Sequence, residues 1–195
     1  QLIKTLFLDN YVGQMIFNPI DNQLYILYFK IPSFSIIGER DGEIQLLKTV
    51  ALAKIAQAFT FTQTNKIYIT NYYDNSVTIL DPTNNQQKEI SVPANPNYFF
   101  YSKDDPQRFY LTHYGENVVS VINTKEEKIE NILVTGRKPL SIFIDTKHAN
   151  RIFVANLWDN SISVFEKDYS PLATILSDGT VAWAPGKGPV KKGVA

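Results

Sequence analysis

Residues 150–166, NRIFVANLWDNSISVFE, decide the fold of this chain. They predict two short strands joined by a tight turn at Asp159-Asn160-Ser161, because apolar and β-branched residues flank residues that favour turns. Three upstream segments have the same layout: NQLYILYFKIPSFSIIG from Asn22, NKIYITNYYDNSVTILD from Asn65 and QRFYLTHYGENVVSVIN from Gln107. The chain is therefore an array of internal repeats.

The repeat period is 42 or 43 residues, measured between the anchor aromatics Tyr25, Tyr68, Tyr110 and Phe153. Each repeat predicts four strands, and four-stranded units at this period are typical of β-propeller blades. We therefore predict an all-β fold of four-stranded antiparallel blades. The repeats lie near residues 22–50, 65–93, 107–135 and 150–176. Residues 1–176 are assigned to the blades, and 177–195 to an irregular Gly/Pro/Lys-rich tail or linker, in which only Val181–Trp183 resembles a strand.

The third strand of every repeat alternates apolar and hydroxyl side chains. Ser35, Thr78, Ser120 and Ser163 occupy one aligned position, with apolar residues on either side of each. Strict alternation predicts a strand buried on one face only. The second strands are apolar throughout, which predicts that sheets stack against both of their faces.

Two segments are less regular. Glu43–Gln57 has a helix-compatible composition, but the repeat favours an outer strand followed by a connection. Gln1–Leu8 lacks a hairpin partner and is interpreted as the last strand of a blade whose beginning is missing. Because the chain begins with Gln and not Met, we expect a processed or truncated N-terminus.

The repeats resemble the YVTN family of β-propeller proteins of archaeal and bacterial surfaces. Tyr68-Ile69-Thr70-Asn71, followed by Asp74-Asn75-Ser76, matches the family pattern closely, and Phe153-Val154-Ala155-Asn156 is similar. The third copy has His113 at the usual Asn position, and the first copy keeps only the apolar pattern. The resemblance implies a secreted, cell-surface or periplasmic protein with an adhesive or structural role.

Four blades are few for a ring of that family. The resemblance therefore implies a partial ring or a fragment of a larger propeller, and we expect that another segment or self-association completes it. Missing blades would leave apolar faces exposed, which a stable monomer tolerates poorly.

Composition restricts the partners. Nineteen basic residues balance nineteen acidic ones, and this neutrality argues against general nucleic-acid binding. There is no cysteine, which removes disulfides, thiolate metal sites and thiol nucleophiles. No apolar run is long enough to span a membrane, so no direct membrane insertion is expected.

No catalytic constellation is apparent in the sequence. His148 is interpreted as an exposed loop residue. His113 either replaces the strand-end hydrogen bond of Asn in the other copies or lies on a ligand face near the central channel. The recurring Asp residues are explained by turn chemistry. A lone His does not make a metal site, so no metal or cofactor is predicted.

The turns after the second strands and the connections between blades should lie on one face, because the strands alternate in direction. That face would carry the candidate ligand-binding residues Phe29, Tyr72, Tyr73, His113, Tyr114 and Trp158. Such an aromatic cluster suits a protein or a carbohydrate partner, or it packs between blades. Trp158 is the one residue of its motif that the repeat does not explain.

The expected function is that of a non-enzymatic binding or assembly module, a scaffold of a secreted or surface protein. The alternative is a propeller enzyme of lactonase or lyase type, with His113 at the channel mouth. A sensor or scaffold domain of a larger membrane-anchored protein is a third interpretation.

Overall fold

The structure is a computed structural model that describes residues 5–8, 10–147 and 150–188. These residues contain seventeen β-strands and no helix. No segment of this part of the chain is a helix able to cross a membrane. The strands form four antiparallel sheets in which neighbours along the chain are neighbours in space. The predicted all-β architecture is confirmed.

The first sheet contains β1 (Val12–Asn18), β2 (Gln23–Tyr28), β3 (Ser33–Arg40) and β4 (Glu43–Ala51). The second contains β5 (Ala58–Phe61), β6 (Ile67–Asn71), β7 (Ser76–Leu80) and β8 (Gln87–Ser91). The third contains β9 (Pro96–Ser102), β10 (Asp105–His113), β11 (Val118–Asn123) and β12 (Lys128–Val134). The fourth contains β13 (Pro139–Asp145), β14 (Arg151–Asn156), β15 (Ser161–Phe165), β16 (Pro171–Ile175) and β17 (Val181–Trp183).

The chain divides into two compact units, Gln1–Phe99 and Phe100–Ala195. In the first unit, Tyr25, Phe34 and Ile36 of the first sheet pack against Ile67, Ile69 and Leu80 of the second. In the second unit, Tyr110, Val119 and Val121 of the third sheet pack against Ile152, Val154 and Phe165 of the fourth. These two sets occupy equivalent repeat positions. In each of these contacts, we call the packed surface of the sheet that comes first in the chain its outgoing face. The packed surface of the sheet that follows is its incoming face.

The repeated contact explains why the second strands are apolar on both faces. All five residues of β6 are buried, as are the last five of β10. Both faces of these strands are therefore buried, as their apolar composition predicts.

The prediction that the third strands are buried on one face only is wrong for β3 and β11. Ser35 and Ser120 are buried together with the apolar residues on either side of them, whereas Ser163 is buried beside the exposed Ile162. Each hydroxyl is satisfied by the last residue of the adjacent second strand: Tyr28 Oη donates to Ser35 at 2.8 Å, and Asn156 Nδ2 donates to Ser163 at 2.9 Å. Asn71 Nδ2 likewise donates to Thr78 at 2.8 Å. Burial of the hydroxyl is tolerated because its hydrogen bond is made inside the sheet.

The less regular segments and the tail differ in how well the structure agrees with their predictions. Glu43–Ala51 is strand β4, so the repeat prevails over local helical composition. Residues 5–8 are not in a strand, contrary to the prediction for Gln1–Leu8, while residues 1–4 and Asp9 lie outside the described residues. Strand β17 pairs with β16 and extends the fourth sheet past Leu176, whereas residues 189–195 of the tail lie outside the described residues.

Neighbouring residues of β12 test the packing of the second unit. Leu133 is fully buried in the contact between sheets, whereas Ile132 is half-exposed. We expect Leu133→Ala to lower the free energy of unfolding by about 2–5 kcal/mol, because it leaves a cavity. Ile132→Ala should change it by less than about 1 kcal/mol. Urea denaturation measures both, and equal effects would contradict the assigned core.

Candidate functional site

The connection between β12 and β13, residues 135–138, lies against turns of two sheets. On one side, Thr135 N donates to Asn117 O at 3.0 Å and Lys138 N donates to Asn117 Oδ1 at 3.1 Å. On the other side, Leu157 N donates to Lys138 O at 3.0 Å. The connection is therefore fixed between the β10–β11 turn and the β14–β15 turn.

The first unit repeats half of this arrangement. Val92 N donates to Asn75 O at 3.0 Å, and Asn95 N donates to Asn75 Oδ1 at 3.0 Å. Asn75 and Asn117 are repeat-equivalent and both have positive φ, near 52° and 54°. Asn tolerates this left-handed conformation better than most residues. The Asn residues that the sequence predicts as turn formers thus have a second role, since the side chain of each also positions the connection that follows.

A glycine is required at position 136 because the backbone there lies close to side chains of the β14–β15 region. A Cβ atom at this position would lie 2.7 Å from Asn156 Nδ2 and 2.8 Å from Asp159 Oδ2. The backbone of the connection therefore runs directly over the β14–β15 turn, and this places Arg137 and Lys138 beside Trp158.

Lys138 extends its side chain between two aromatic rings. Its Nζ lies 3.5 Å from the centroid of the Trp158 ring and 4.8 Å from that of Tyr114. Both distances are within the range of cation–π attraction. Trp158 is nevertheless 58% exposed. Contact with Lys138 explains the Trp that the repeat itself leaves unexplained.

Arg137 and Asp159 close the other side of the same surface. Arg137 donates to Asp159 through its backbone N at 2.6 Å and its Nε at 2.5 Å. These two hydrogen bonds lower the pKa of the Asp159 carboxyl below its ordinary value. We call Tyr114, Arg137, Lys138, Trp158 and Asp159 the Lys138 cluster; its formal charges sum to one positive charge.

Phe29, Tyr72 and Tyr73, which the sequence predicts on the same face, lie in the first unit. The Tyr72 and Tyr73 rings meet edge to face with centroids 5.1 Å apart, and Tyr73 is largely exposed. The half-exposed Phe29 ring lies beside Gly13. The structure therefore brings together Tyr72 with Tyr73 in one unit, and Tyr114 with Trp158 in the other.

His113 does not lie on the ligand face. Its side chain is fully buried, and Nε2 lies 2.8 Å from Ser120 Oγ, a contact equivalent to those made by Asn71 and Asn156. The strand-end alternative is the one that the structure has. His148 lies outside the described residues.

A polar cavity of about 530 Å³ opens at the opposite ends of the strands in the second unit. Arg108 occupies it, donating to Glu130 through Nε at 3.1 Å and to Asp105 through Nη1 at 3.2 Å. The hydrogen bonds that Arg108 donates to Glu130 raise the pKa of Arg108. Burial raises the pKa of Tyr110 in the same wall, so its hydroxyl stays protonated. The Arg108 guanidinium of this cavity is already held by Glu130 and Asp105, so we take the Lys138 cluster as the candidate site.

No group of three or more His, Asp or Glu side chains within residues 5–8, 10–147 and 150–188 is arranged to hold a metal ion. The candidate site is instead an exposed aromatic and charged surface.

Solved structures with the same architecture are β-propeller proteins. The dihydro-heme d1 dehydrogenase NirN, in complex with DHE, superposes with a TM-score of 0.69 at 12% identity, over 90% of this chain and 38% of that one. Hydrazine synthase from Kuenenia stuttgartiensis gives 0.68 at 18% identity, over 94% and 53%. Virginiamycin B lyase from Staphylococcus aureus gives 0.62 at 16% identity, over 94% and 58%.

The four sheets are β-propeller blades. This chain spans 38%, 53% and 58% of the length of these three proteins, respectively. At such identities the likeness establishes the fold alone, and the fold is one that a dehydrogenase and a lyase both use. No family model and no curated protein matches the sequence, so the YVTN resemblance stays a prediction.

The sequence reasoning missed Arg137 and Lys138. Their signal was present, because Lys138 stands where the preceding repeat has Asn95, and both residues have φ near 55°. A Lys at a position that favours Asn departs from local preference, and such departures point to function. Alignment of the connections as well as the strands would have revealed Lys138 as a candidate residue.

His113 offers a test of the buried hydrogen bond. We expect His113→Ala to lower the free energy of unfolding by about 1–3 kcal/mol, because the Ser120 hydroxyl loses its partner. His113→Asn should cost less, because Asn makes this contact in two other blades. Urea denaturation distinguishes the two variants, and an equal loss in both would contradict the shared role.

Acidification offers a test of the Arg137–Asp159 contact. The folded-state pKa of Asp159 is depressed, so the contact is complete above the ordinary Asp pKa of about 3.9 and is lost as the pH falls through the lower folded value. We expect the Arg137 amide resonance to titrate with a midpoint below about 3.9 and to lose that titration in Asp159→Asn. A midpoint above the ordinary value would refute the contact.

Proposed function

We propose that this chain is a non-enzymatic binding module that recognises an acidic segment of a protein partner through the Lys138 cluster. The observation that carries the proposal is the Lys138 ammonium group lying between Tyr114 and the exposed Trp158. Exposed Trp, Tyr and Arg side chains are over-represented among the residues that dominate protein–protein affinity.

Charge favours an acidic protein segment over a carbohydrate. Asp159 accepts from Arg137, whereas Lys138 is held by ring faces that do not neutralise its charge. A partner carboxylate would supply that neutralisation in a partly dehydrated setting. Stacking of a neutral sugar would need a free ring face, and one face of Trp158 is occupied by Lys138.

The fixed connection favours binding further. Residues 135–138 are held from both sides by backbone hydrogen bonds, so little ordering of the main chain is needed when a partner docks. Preorganisation of this kind lowers the entropic cost of association. The secreted or cell-surface setting belongs to the proposal as well, and its support is the YVTN resemblance.

The lactonase or lyase alternative has His113 as its first candidate residue, and the His113 ring is buried against Ser120. This burial favours the binding module over that alternative.

The two tryptophans of the chain allow a direct test. Trp183→Phe leaves Trp158 as the single tryptophan, whose emission can be excited selectively. We expect a short acidic peptide that contains one aromatic residue to shift the emission of Trp158 in a saturable manner, because the peptide carboxylates approach Lys138. The amidated peptide, with Gln and Asn in place of Glu and Asp, and neutral oligosaccharides should produce no such shift.

Lys138→Asn provides the decisive variant, since Asn occupies the equivalent position in the preceding repeat. In the Trp183→Phe background we expect it to weaken peptide binding at least about tenfold, equivalent to about 1.4 kcal/mol, with little change in stability. Lys30→Asn is the matched control, because Lys30 is exposed and, like Lys138, has a positive φ, in its case 62°. Equal affinity for acidic and amidated peptides, or saturable binding of an oligosaccharide alone, would overturn the proposal.

A further inference from the structure

The polar cavity between the third and fourth blades has the size of a small-molecule site. Its volume is about 530 Å³, and pockets for small ligands measure about 300–1,000 Å³. The buried side chains of Tyr110 and Ile152 form its floor. Because the cavity opens at the ends of the strands opposite to the Lys138 cluster, the two sites are separate.

The first unit shows how the same position is closed in another pair of blades. Phe61 and Ile144 are repeat-equivalent, since each pairs with the residue that precedes an anchor aromatic. The Phe61 ring packs edge to face on Tyr25, with the two centroids 4.8 Å apart, and Tyr25 is the equivalent of Tyr110. In the second unit Ile144 supplies no ring, and the cavity lies beside Ile144 and Tyr110.

Arg108 is fixed within the polar lining of the cavity. Its Nε and Nη2 donate to the Glu130 carboxylate at 3.1 and 3.0 Å, and its Nη1 donates to Asp105 at 3.2 Å. A guanidinium carries five N–H donors and a carboxylate about four acceptor positions, so these groups have capacity for further hydrogen bonds. Side chains that are already in place lower the entropic cost of binding.

The charge of the lining favours a neutral ligand. The lining contains three carboxylates and two cationic groups, which sum to one formal negative charge: Asp104, Asp105, Glu130, Arg108 and Lys167. An anion or a cation would therefore meet like charges as well as opposite ones in a partly enclosed space. A hydroxyl group both donates and accepts, so it can bind to the carboxylates and the guanidinium without separating them.

Tyr169 adds an aromatic wall in an unfavourable backbone conformation. Its φ is 68°, in the left-handed region that bulky residues rarely adopt, and the corresponding turn position of the second blade is Asn85. The Tyr169 ring packs on the core between the blades, and its hydroxyl accepts a hydrogen bond from Tyr110. Backbone strain of this kind collects at ligand sites.

We propose that this cavity binds a neutral polyhydroxy compound of the size of a monosaccharide. Asp105, Arg108 and Glu130 bind its hydroxyl groups, and the Tyr169 ring packs against its C–H groups. The proposal does not depend on the Lys138 cluster or on the acidic partner proposed for it.

Isothermal titration calorimetry provides the first test, with D-glucose, D-galactose, D-mannose and myo-inositol as neutral probes. We expect at least one of them to bind saturably with a Kd below about 1 mM. Glucuronate and protonated D-glucosamine should bind at least about tenfold more weakly, because each adds a charge. Absence of saturable binding by all four neutral probes would overturn the proposal, as would equal affinity for a charged probe.

Two variants test the assigned lining. Ile144→Phe introduces the side chain that the first unit has at this position, and its ring should occupy the cavity beside Tyr110. Tyr169→Asn removes the aromatic wall and introduces the residue that the second blade has in the corresponding turn. We expect each variant to weaken binding of the neutral probe at least about tenfold.

Glu127→Asn is the matched control for Tyr169→Asn. Glu127 lies at the corresponding turn position of the third blade, has a φ of 52° and is outside the lining. This variant should bind the probe as the unsubstituted chain does. Unweakened binding in both Ile144→Phe and Tyr169→Asn would refute the assigned cavity, and thermal unfolding shows which variants are folded.

Amide resonances of the unsubstituted chain locate the bound probe without any variant. We expect the Thr146 and Lys167 amides to shift as the probe saturates, while those of Lys138 and Trp158 stay unchanged. Shifts confined to Lys138 and Trp158 would overturn the proposal. Failure of the acidic-segment proposal is seen separately, because that test uses the emission of Trp158.

Discussion

The structure depends on the packing of one sheet's outgoing face against the next sheet's incoming face. A four-stranded sheet with two apolar faces cannot be stable alone, because each face would remain in water. The repeat solves this by placing complementary apolar side chains at fixed positions, so that Tyr25 and Phe34 in one unit do what Tyr110 and Val119 do in the other.

Tight stacking imposes a second condition, which concerns the polar groups. The hydroxyls of the third strands lie inside the sheets, where an unpaired hydroxyl would be costly. Each is paired with the end of the second strand, and the four blades use three chemically different partners: the Tyr28 phenol, the amides of Asn71 and Asn156, and the His113 imidazole. What the position requires is a polar atom at the right distance. This is why a histidine, the residue that most often suggests catalysis, has a structural role here.

The candidate site arises from the connections and not from the repeated strands. Asn75 and Asn117 hold the connections in equivalent ways, so the backbone geometry is common to both units, while the side chains placed on it differ. In the second unit this common geometry carries Arg137 and Lys138 to the exposed Trp158. A rigid repeated scaffold with variable side chains at its loops is a general route to a binding surface. The proposed recognition of an acidic segment follows from those side chains.

The sequence by itself determined the architecture. Four-stranded blades were specified by the period of 42 or 43 residues, the alternation of strand residues and the turn residues. The same repeat predicted a strand at Glu43–Ala51 in spite of its helix-compatible composition. It also indicated Tyr114 and Trp158 as residues of one face. Only the tertiary structure decided that the third-strand hydroxyls and His113 are buried, that residues 5–8 are not in a strand, and that Lys138 lies between the two rings. The physical reason is that periodicity reports local backbone geometry, whereas burial and side-chain contact depend on which sheet or connection lies opposite, and that neighbour is supplied by another part of the chain.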